Sequence, residues 1–205
     1  MKVYFLRGKG YLSNEYAVTD STHSVCTVID PSVPPSEMRK IYPHLPKISS
    51  VLLTHGHFDH IMGLSDYVNE GVPVYVTKED LCMLTDPYKN ASSLFLSKNV
   101  TVENCYVNFI EDGDIIKIGD ESLRVMKTPG HTAGSVCYIG NGCIFSGDMI
   151  FADGGYGRCD LYSGCYGDIL KSIEKIMAMT GDFTVYPGHG NTTSLENERK
   201  YYNAE

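Results

Sequence analysis

The sequence predicts an α/β fold of the α+β kind, in which two β-sheets pack together and helices cover both outer faces. Strand-like runs and helical patterns fall into two similar halves, and in each half the strands precede the main helix. Two sheets with one helical layer on each outer face satisfy that order. No proline-rich or low-complexity linker interrupts the chain, so we predict a single domain over residues 1–205.

The first half of the chain is rich in strand signals. β-Branched and aromatic residues cluster between turn residues, and the predicted strands span residues 3–6, 15–19, 25–30, 49–54 and 72–77. A short helix is predicted between Pro34 and Pro43, because proline suits the first helical turn and also ends a helix. Apolar residues at helical spacing predict a second helix over 61–70, and a short third helix is predicted over 78–85.

From residue 100 the chain changes to short strand-like runs separated by turn dipeptides such as Asp-Gly and Asn-Gly. The runs span residues 102–110, 115–118, 123–128, 135–139 and 143–146, and they predict an antiparallel meander. The remaining predicted elements are a helix over 168–179, a strand over 183–186 and a helix opened by the capping box Thr193-x-x-Glu196. The segment 86–98 mixes turn residues with Leu94 and Phe95, and it is predicted to be a surface loop whose apolar tip borders a pocket.

Charge and cysteine content limit the classes of partner. The formal net charge of -8 opposes attraction to nucleic acid phosphates or to an anionic membrane, so we predict a small-molecule substrate. Residues 1–16 contain no basic region followed by a long apolar run, so neither a signal peptide nor a membrane span is predicted. The seven cysteines form no Cys-x-x-Cys pair, and we expect reduced thiols in a cytoplasmic protein. The oligomeric state stays open.

The segment Thr54-His55-Gly56-His57-Phe58-Asp59-His60 places four potential metal ligands within six residues. It follows a predicted buried strand, and in an extended chain His55, His57 and Asp59 would point to the same side. His60 can join them only if the chain turns there. Imidazole nitrogens and carboxylate oxygens at this density are the ligands that a divalent ion such as zinc prefers.

Three further candidates lie beside glycine at the ends of later predicted strands. They are His131 in Pro-Gly-His-Thr, Asp148 in Ser-Gly-Asp and His189 in Pro-Gly-His-Gly. Glycine lets the backbone bend closely around an ion, and strand ends bring residues that are distant in sequence to one rim. The whole set therefore predicts a metal site.

These motifs, in this order and with these strands between them, resemble the metallo-β-lactamase-fold hydrolase superfamily over nearly the whole chain. The resemblance implies a four-layer αββα sandwich of two mixed sheets flanked by helices, with two divalent metal ions at one edge, zinc foremost and iron or manganese as alternatives. Matched by motif position, the ligands are His55, His57 and His131 for the first metal, Asp59, His60 and His189 for the second, and Asp148 as the bridge. Zinc β-lactamases of the best-known class carry Cys at the bridging position, so antibiotic hydrolysis is not expected.

The run Gly157-Arg158-Cys159-Asp160, together with residues 147–151, is similar to the compact hydroxyacylglutathione hydrolase-like proteins, the glyoxalase II-like branch. A Gly-Arg-x-Asp run also occurs in persulfide dioxygenases, but the ending Pro-Gly-His-Gly-x-Thr favours the hydrolase branch. Full-length hydroxyacylglutathione hydrolases carry a C-terminal helical extension that helps to bind glutathione, and this sequence stops soon after its last predicted helix. The use of glutathione therefore stays open.

The resemblance implies a thioesterase-like hydrolase that cleaves a small thioester or ester by means of a metal-bridging hydroxide. Asp59 would be the catalytic residue, because it would ligate the second metal and align that hydroxide. Asp30 resembles a position that supports a metal-ligand histidine from behind, although an Asp before proline is equally typical of a turn. Arg158 matches a cation that meets the substrate carboxylate, and a structural pair with Asp160 is the alternative.

Two other functions stay open. The same ligands could hold one iron, through His55, His131 and Asp148 or a similar set, and oxidise a persulfide with dioxygen. Alternatively, the metal could only stabilise a non-catalytic module. Structural sites are closed by protein ligands, whereas seven groups for two ions should leave positions for water, and this favours a catalytic site.

Overall fold

Two six-stranded β-sheets form the centre of the structure, a computed structural model that describes residues 1–202. The strands of the first sheet lie side by side in chain order: β1 (Lys2–Leu6), β2 (Glu15–Thr19), β3 (Cys26–Ile29), β4 (Ile48–Leu52), β5 (Val74–Val76) and β6 (Val107–Phe109). Neighbours from β1 to β3 are antiparallel, and those from β3 to β6 are parallel. The carboxyl ends of β3 and β4 therefore lie at the same edge, where the chain continues to Asp30 and His55.

The second sheet is also mixed. It contains β7 (Ile115–Ile118), β8 (Glu121–Lys127), β9 (Val136–Gly140), β10 (Cys143–Gly147), β11 (Thr184–Pro187) and β12 (Thr193–Ser194). Its neighbours are antiparallel except for the parallel pair β10 and β11, and β7 to β10 form the meander that the sequence predicts. Since β8, β10 and β11 run in one direction, their carboxyl ends share one edge of this sheet.

Apolar side chains from both sheets fill the space between them, and three aromatic residues dominate this core: Tyr16, Tyr138 and Phe145. The ring of Tyr16 lies edge-on to Phe145, with centroids 5.5 Å apart. A buried tyrosine hydroxyl needs a partner, and here each one reaches the opposite sheet. Tyr16 donates to the Pro187 carbonyl at 2.6 Å, and Tyr138 donates to the Leu53 carbonyl at 2.8 Å. These bonds join the sheets close to the strand ends that carry the predicted ligands.

Six α-helices in the described part of the chain complete the layers: α1 (Pro35–Ile41), α2 (Phe58–Ile61), α3 (Leu64–Asn69), α4 (Ser92–Phe95), α5 (Tyr166–Met177) and α6 (Leu195–Tyr202). α1, α2 and α3 pack Met38, Ile61 and Leu64 against the outer face of the first sheet. α5 and α6 cover the second sheet with residues such as Ile169 and Leu195. This order of layers confirms the predicted αββα sandwich. Within residues 1–202, no helix combines the length and the apolar character that a membrane crossing requires.

Two predicted elements between β5 and β7 differ from the structure. The run 102–110, predicted as part of the meander, contains only the short β6, which pairs in parallel with β5 of the first sheet. Asn104 has a φ of 55°, which interrupts an extended chain, and a strand pattern does not specify the partner strand. The helix predicted over 78–85 is a single 3₁₀ helix, Leu81–Leu84.

Two predicted helices also begin or end elsewhere. The helix predicted over 61–70 is divided into α2 and α3 at Gly63, where a Cβ atom would lie 2.0 Å from the Val33 carbonyl oxygen. Only glycine permits this close approach of two backbone segments. The capping-box prediction is wrong, because Thr193 belongs to β12 and its hydroxyl donates to Glu198 at 2.6 Å.

The buried carboxyl group of Glu15 makes the stability of this fold depend on pH. Tyr67 donates its hydroxyl proton to Glu15 Oε1 at 2.7 Å, and the Val33 N–H donates to Oε2 at 3.0 Å. Burial raises the pKa of Glu15 to about 8. The folded protein therefore binds this proton more tightly than the unfolded chain. The resulting stabilisation is complete below the unfolded pKa of about 4.5, and it is lost as the pH rises through about 8.

We expect the variant Glu15→Gln to remove this pH dependence, because glutamine stays neutral and can accept from Val33 while it donates to Tyr67. Between pH 5 and pH 8.5 the unfolding free energy of the wild type should fall relative to that of the variant by on the order of 3 kcal/mol. Urea unfolding of both proteins at the two pH values measures the difference. An equal difference at both pH values would contradict the assignment.

Candidate metal centre

The seven predicted ligands meet at one edge of the sandwich, where strand ends from both sheets converge. His55 and His57 follow β4, and the chain then turns into α2, which carries Asp59 and His60. The later ligands are His131 after β8, Asp148 after β10 and His189 after β11. The prediction that Asp59 lies in an extended segment is wrong, because α2 begins at Phe58. Asp59 and His60 therefore lie in the same helical turn.

Three imidazoles form the first group. His131 Nε2 lies 3.1 Å from His55 Nε2 and 2.8 Å from His57 Nδ1. Burial is the largest cause that lowers the pKa of all three rings, and the charges of neighbouring imidazoles act in the same direction, so that the pKa of His57 falls to about 3. They are therefore neutral at physiological pH, which is the state in which histidine binds a metal ion.

Asp59, His60 and His189 form the second group. His189 Nε2 lies 3.0 Å from Asp59 Oδ2, and His60 Nε2 lies 3.7 Å from the same oxygen. Burial alone would lower the pKa of His60, but the surrounding carboxylates, led by Asp148 and Asp30, raise it well above its usual value. This half of the cluster thus has an excess of negative charge that a cation would neutralise.

Asp148 lies between the two groups. Its Oδ1 atom is 3.3 Å from His60 Nε2, and its Oδ2 atom is 3.6 Å from both His131 Nε2 and His189 Nε2. The backbone before His189 can pass this close only because residue 188 is glycine, since a Cβ atom on Gly188 would lie 2.2 Å from Asp148 Oδ1. One carboxylate therefore faces ligands of both groups.

Buried polar atoms without a hydrogen-bond partner test whether these residues suit metal ions. Across residues 1–202 such side-chain atoms are His57 Nε2, His60 Nε2 and Asp148 Oδ1, and all belong to this cluster. Buried polar groups are nearly always bonded, so these exceptions need an explanation. The cluster also contains three overlapping ligand triads whose donor atoms lie within 4.8 Å of one another. Nitrogen and oxygen donors in this arrangement fit divalent metal ions.

Asp30 supports the cluster from behind, at the end of β3. It accepts hydrogen bonds from the Thr54 N–H at 2.7 Å, the Thr54 hydroxyl at 2.6 Å and His60 Nδ1 at 2.9 Å. Since the Thr54 hydroxyl proton points to Asp30, its oxygen accepts from His55 Nδ1 at 3.1 Å. Both imidazoles are thus held with Nε2 free for a ligand ion. Asp30 has a φ of 53°, so it also makes the turn that its position before proline suggests.

Asp80 has a similar supporting role that the sequence did not reveal. It is fully buried, and burial raises its pKa to about 6. Its carboxylate accepts from the Gly56 N–H at 3.0 Å, the Thr132 hydroxyl at 2.7 Å and the Gly134 N–H at 2.9 Å. Gly56 separates His55 from His57, and Thr132 follows His131. Asp80 therefore joins the two loops that supply the first group.

We expect Asp80→Ala to lower the unfolding free energy of the metal-free protein by roughly 2–4 kcal/mol, because two buried backbone N–H groups lose their acceptor. Zinc affinity should fall as well, since the loops of the first group are no longer joined. Chemical denaturation and competition with a chelator measure the two effects. Glu79→Ala is the matched control, because Glu79 is an exposed neighbour whose ion pair with Lys127 is worth little. Equal behaviour of the two variants would disprove the role of Asp80.

A cleft opens directly onto the cluster. It has a volume of 350 Å³, and its lining residues are Tyr11, His57, Phe58, Asp59, Ala91, Phe95, His131, Arg158 and Leu161. Ala91 and Phe95 come from the segment 86–98, which contains α4 and borders this cleft. A substrate in the cleft would lie beside Asp59 and beside ligands of the first group.

Arg158, the predicted contact of a substrate carboxylate, lies in the wall of this cleft. Its guanidinium donates to both oxygens of Asp160, at 2.7 and 2.8 Å, and the Arg158 side chain is 52% exposed. Its backbone carbonyl accepts from His131 Nδ1 at 2.6 Å. The structural pair with Asp160 is thus present, and the contact with a substrate stays a prediction.

Comparisons with known proteins are consistent with this geometry. A family model described as the metallo-beta-lactamase superfamily matches residues 10–195. The chain is 35% identical over 162 residues to an uncharacterized protein of Mycobacterium leprae, covering 75% of this chain and 74% of the relative. It is 34% identical over 183 residues to the probable metallo-hydrolase YqgX of Bacillus subtilis, covering 85% and 84%. It is 29% identical over 172 residues to a hydroxyacylglutathione hydrolase of Vibrio cholerae, covering 82% of this chain and 58% of that enzyme.

Solved structures with the same fold cover nearly the whole chain. The B3 metallo-beta-lactamase BLEG-1 superposes with a TM-score of 0.89 and 27% identity, covering 97% of each chain. The protein TTHA1623, in a di-iron-bound form, superposes with a TM-score of 0.84 and 26% identity, covering 97% of this chain and 98% of that one. The hydroxyacylglutathione hydrolase at 29% identity supports the glyoxalase II-like branch.

Proposed function

Because the chain belongs to the metallo-β-lactamase superfamily, we propose that it is a metal-dependent hydrolase that cleaves a small thioester or ester. The observation that carries this proposal is the position of Asp59. Its carboxylate is part of the ligand cluster, and the residue also lines the cleft, so Asp59 can contact a ligand ion and a bound substrate at once. A structural metal site would be enclosed by protein ligands, whereas this one borders an open cleft.

The residues around the cleft have distinct roles in this reaction. When bound, divalent ions would polarise the substrate carbonyl and lower the pKa of a water molecule to about 7. Burial raises the pKa of Asp59, but the charge of His60 and the hydrogen bond to His189 outweigh it and hold the pKa below its usual value. Asp59 is therefore an anion that accepts a hydrogen bond from the attacking water and aligns it with the carbonyl. A thiol leaving group, with a pKa of about 8.5, needs no dedicated acid.

Relatives support this class of reaction, and the donor set guides the choice of metal. One is described as a probable metallo-hydrolase and another as a hydroxyacylglutathione hydrolase, of which this chain spans 58%. We propose two metal ions held by His55, His57 and His131 and by Asp59, His60 and His189, with Asp148 between them. Zinc is the first choice for this donor set, and the di-iron form of TTHA1623 makes iron the main alternative. The proposed partner is a small molecule, in keeping with the net charge of -8.

The test loads the purified protein with zinc, iron or manganese, determines its metal content, and measures turnover of a substrate panel. The panel contains S-lactoylglutathione, simple acyl thioesters, an aryl ester and a β-lactam. We expect thioester or ester hydrolysis that increases with metal content and is lost on chelation. The proposal would be refuted if the loaded protein hydrolysed none of the thioesters and esters. Oxygen uptake with glutathione persulfide, confined to the iron form, would instead identify a persulfide dioxygenase.

A further inference from the structure

The cleft beside the metal ligands is small and largely apolar. Its volume of 350 Å³ lies at the lower end of the range of about 300–1,000 Å³ that small-molecule sites occupy. Apart from three residues of the ligand cluster, its walls are Tyr11, Phe58, Ala91, Phe95, Arg158 and Leu161. This volume suits one short acyl or aryl group better than a whole peptide conjugate.

Three aromatic rings form a continuous wall of the cleft. The ring centroid of Phe58 lies 5.9 Å from that of Tyr11 and 6.1 Å from that of Phe95. Phe58 is buried, whereas Tyr11 is 54% and Phe95 is 53% exposed. A ligand that covers exposed aromatic side chains removes their apolar surface from water, which favours binding. Exposed apolar surfaces beside a cleft are therefore typical of binding sites.

Phe95 is presented by a segment that buried polar contacts hold in place. Asn90 is fully buried, and its side-chain amide donates to the Met83 carbonyl at 2.8 Å and the Val100 carbonyl at 2.9 Å. The backbone carbonyl of Asn90 accepts a hydrogen bond from the backbone N–H of Phe58 at 3.0 Å. The segment is therefore attached to the start of α2, which carries two of the predicted ligands. A wall that is already ordered loses little entropy when a ligand binds.

The charge in the cleft does not favour an anionic substrate group. Among the described residues that line it, Arg158 is the one Lys or Arg, and both oxygens of Asp160 already pair with its guanidinium. The guanidinium carbon lies 5.7 Å from the Phe95 ring centroid, so it extends the aromatic wall. The described residues of the cleft therefore offer no unpaired Lys or Arg side chain to an anionic substrate group, whereas a neutral, apolar group needs none.

We propose that the cleft selects substrates with an apolar aliphatic or aromatic group next to the scissile carbonyl, and that Phe95 and Tyr11 determine this specificity. The proposal rests on the hydrolase function proposed above and narrows its substrate class. The apolar group can belong to the acyl part or to the thiol part of a thioester. Two series of substrates, one that varies each part, show which part occupies the cleft.

The first series keeps N-acetylcysteamine as the thiol and lengthens the acyl chain from two to four, six and eight carbons. The second keeps the acetyl group and compares glutathione, N-acetylcysteamine and benzyl mercaptan as thiols. In the series whose variable group occupies the cleft, kcat/KM should increase as that group becomes more apolar. In the acyl series the expected increase is about three- to fourfold per methylene until the cleft is filled. The Phe95→Ala variant should reduce the hexanoyl-to-acetyl ratio of kcat/KM, or the benzyl-to-glutathione ratio, by about tenfold.

Leu94→Ala is the matched control, because Leu94 is 54% exposed on the same short helix and does not line the cleft. It should leave both ratios unchanged. Calorimetric binding of the ketone analogue of the best thioester, with a methylene in place of sulfur, gives a second readout that does not depend on turnover. Here Phe95→Ala should raise Kd by about tenfold.

The outcomes distinguish this inference from the proposed function. Hydrolysis that shows no preference for apolar groups, or a preference for S-lactoylglutathione that Phe95→Ala leaves intact, would overturn the inference while the hydrolase function stands. If no thioester or ester is hydrolysed, the proposed function fails, and binding of the hexanoyl ketone analogue still decides whether the cleft accepts an apolar group. Equal binding by the wild type and Phe95→Ala would then overturn the inference as well.

Discussion

Replacing Asp59 by asparagine should lower kcat for hydrolysis by about 10²–10⁴-fold, because the attacking water loses the carboxylate that aligns it with the substrate carbonyl. Asparagine has nearly the same size, but it is neutral and accepts a weaker hydrogen bond from that water. It also loses the charge that faces His189, whose Nε2 lies 3.0 Å from Asp59 Oδ2. The group formed by His55, His57 and His131 does not include Asp59, so this group should keep its metal. Steady-state kinetics and elemental analysis of the same sample measure both effects.

Asp66→Asn provides the control for this variant. Asp66 is exposed in the first turn of α3, so the same chemical change there should alter neither kcat nor metal content. If Asp59→Asn retained full turnover with unchanged metal content, Asp59 would have no part in the chemical step. The cluster would then have to activate water without a carboxylate at the cleft.

Asp30→Asn should weaken zinc binding by about 10–100-fold, which is typical when a residue that orients a metal ligand is lost. One of the donors from Thr54 and His60 loses its acceptor at a position that is 2% exposed. The unfolding free energy of the metal-free protein should therefore fall by about 1–3 kcal/mol. Asparagine tolerates the φ of 53° at this position, so backbone strain does not contribute to the change in unfolding free energy. Chelator competition and urea unfolding measure the two quantities.

Asp20→Asn separates the loss of stability from the loss of metal affinity. Asp20 is also buried and accepts from the N–H groups of Ser24 at 2.7 Å and Val25 at 3.0 Å, but it lies before β3, at the end opposite Asp30. We expect this control to be less stable and to bind zinc normally. Equal zinc affinity in Asp30→Asn and the wild type would show that His60 keeps its orientation without Asp30.

The fold was largely predictable because its elements follow local patterns. The alternation and turn residues before β2 and within the meander specify strands, and the apolar face of α5 specifies a helix. The prediction failed where a contact between distant segments decides the outcome. Gly63 divides a helix because its backbone lies against Val33, and β6, from the run predicted as part of the meander, pairs instead with β5 of the first sheet. Neither contact leaves a signal in the neighbouring residues.

The sequence by itself determined the chemical type and order of the predicted ligands, because histidine and aspartate beside glycine at strand ends are local features. Through resemblance, it also indicated how the ligands are grouped and a supporting role for Asp30. Only the tertiary structure decided the distances between the ligands, that Asp80 joins the two loops, and that Phe95 rather than Leu94 lines the cleft. These properties are distances between segments far apart in the chain. The register and packing of the two sheets set such distances, and no single stretch of sequence encodes them.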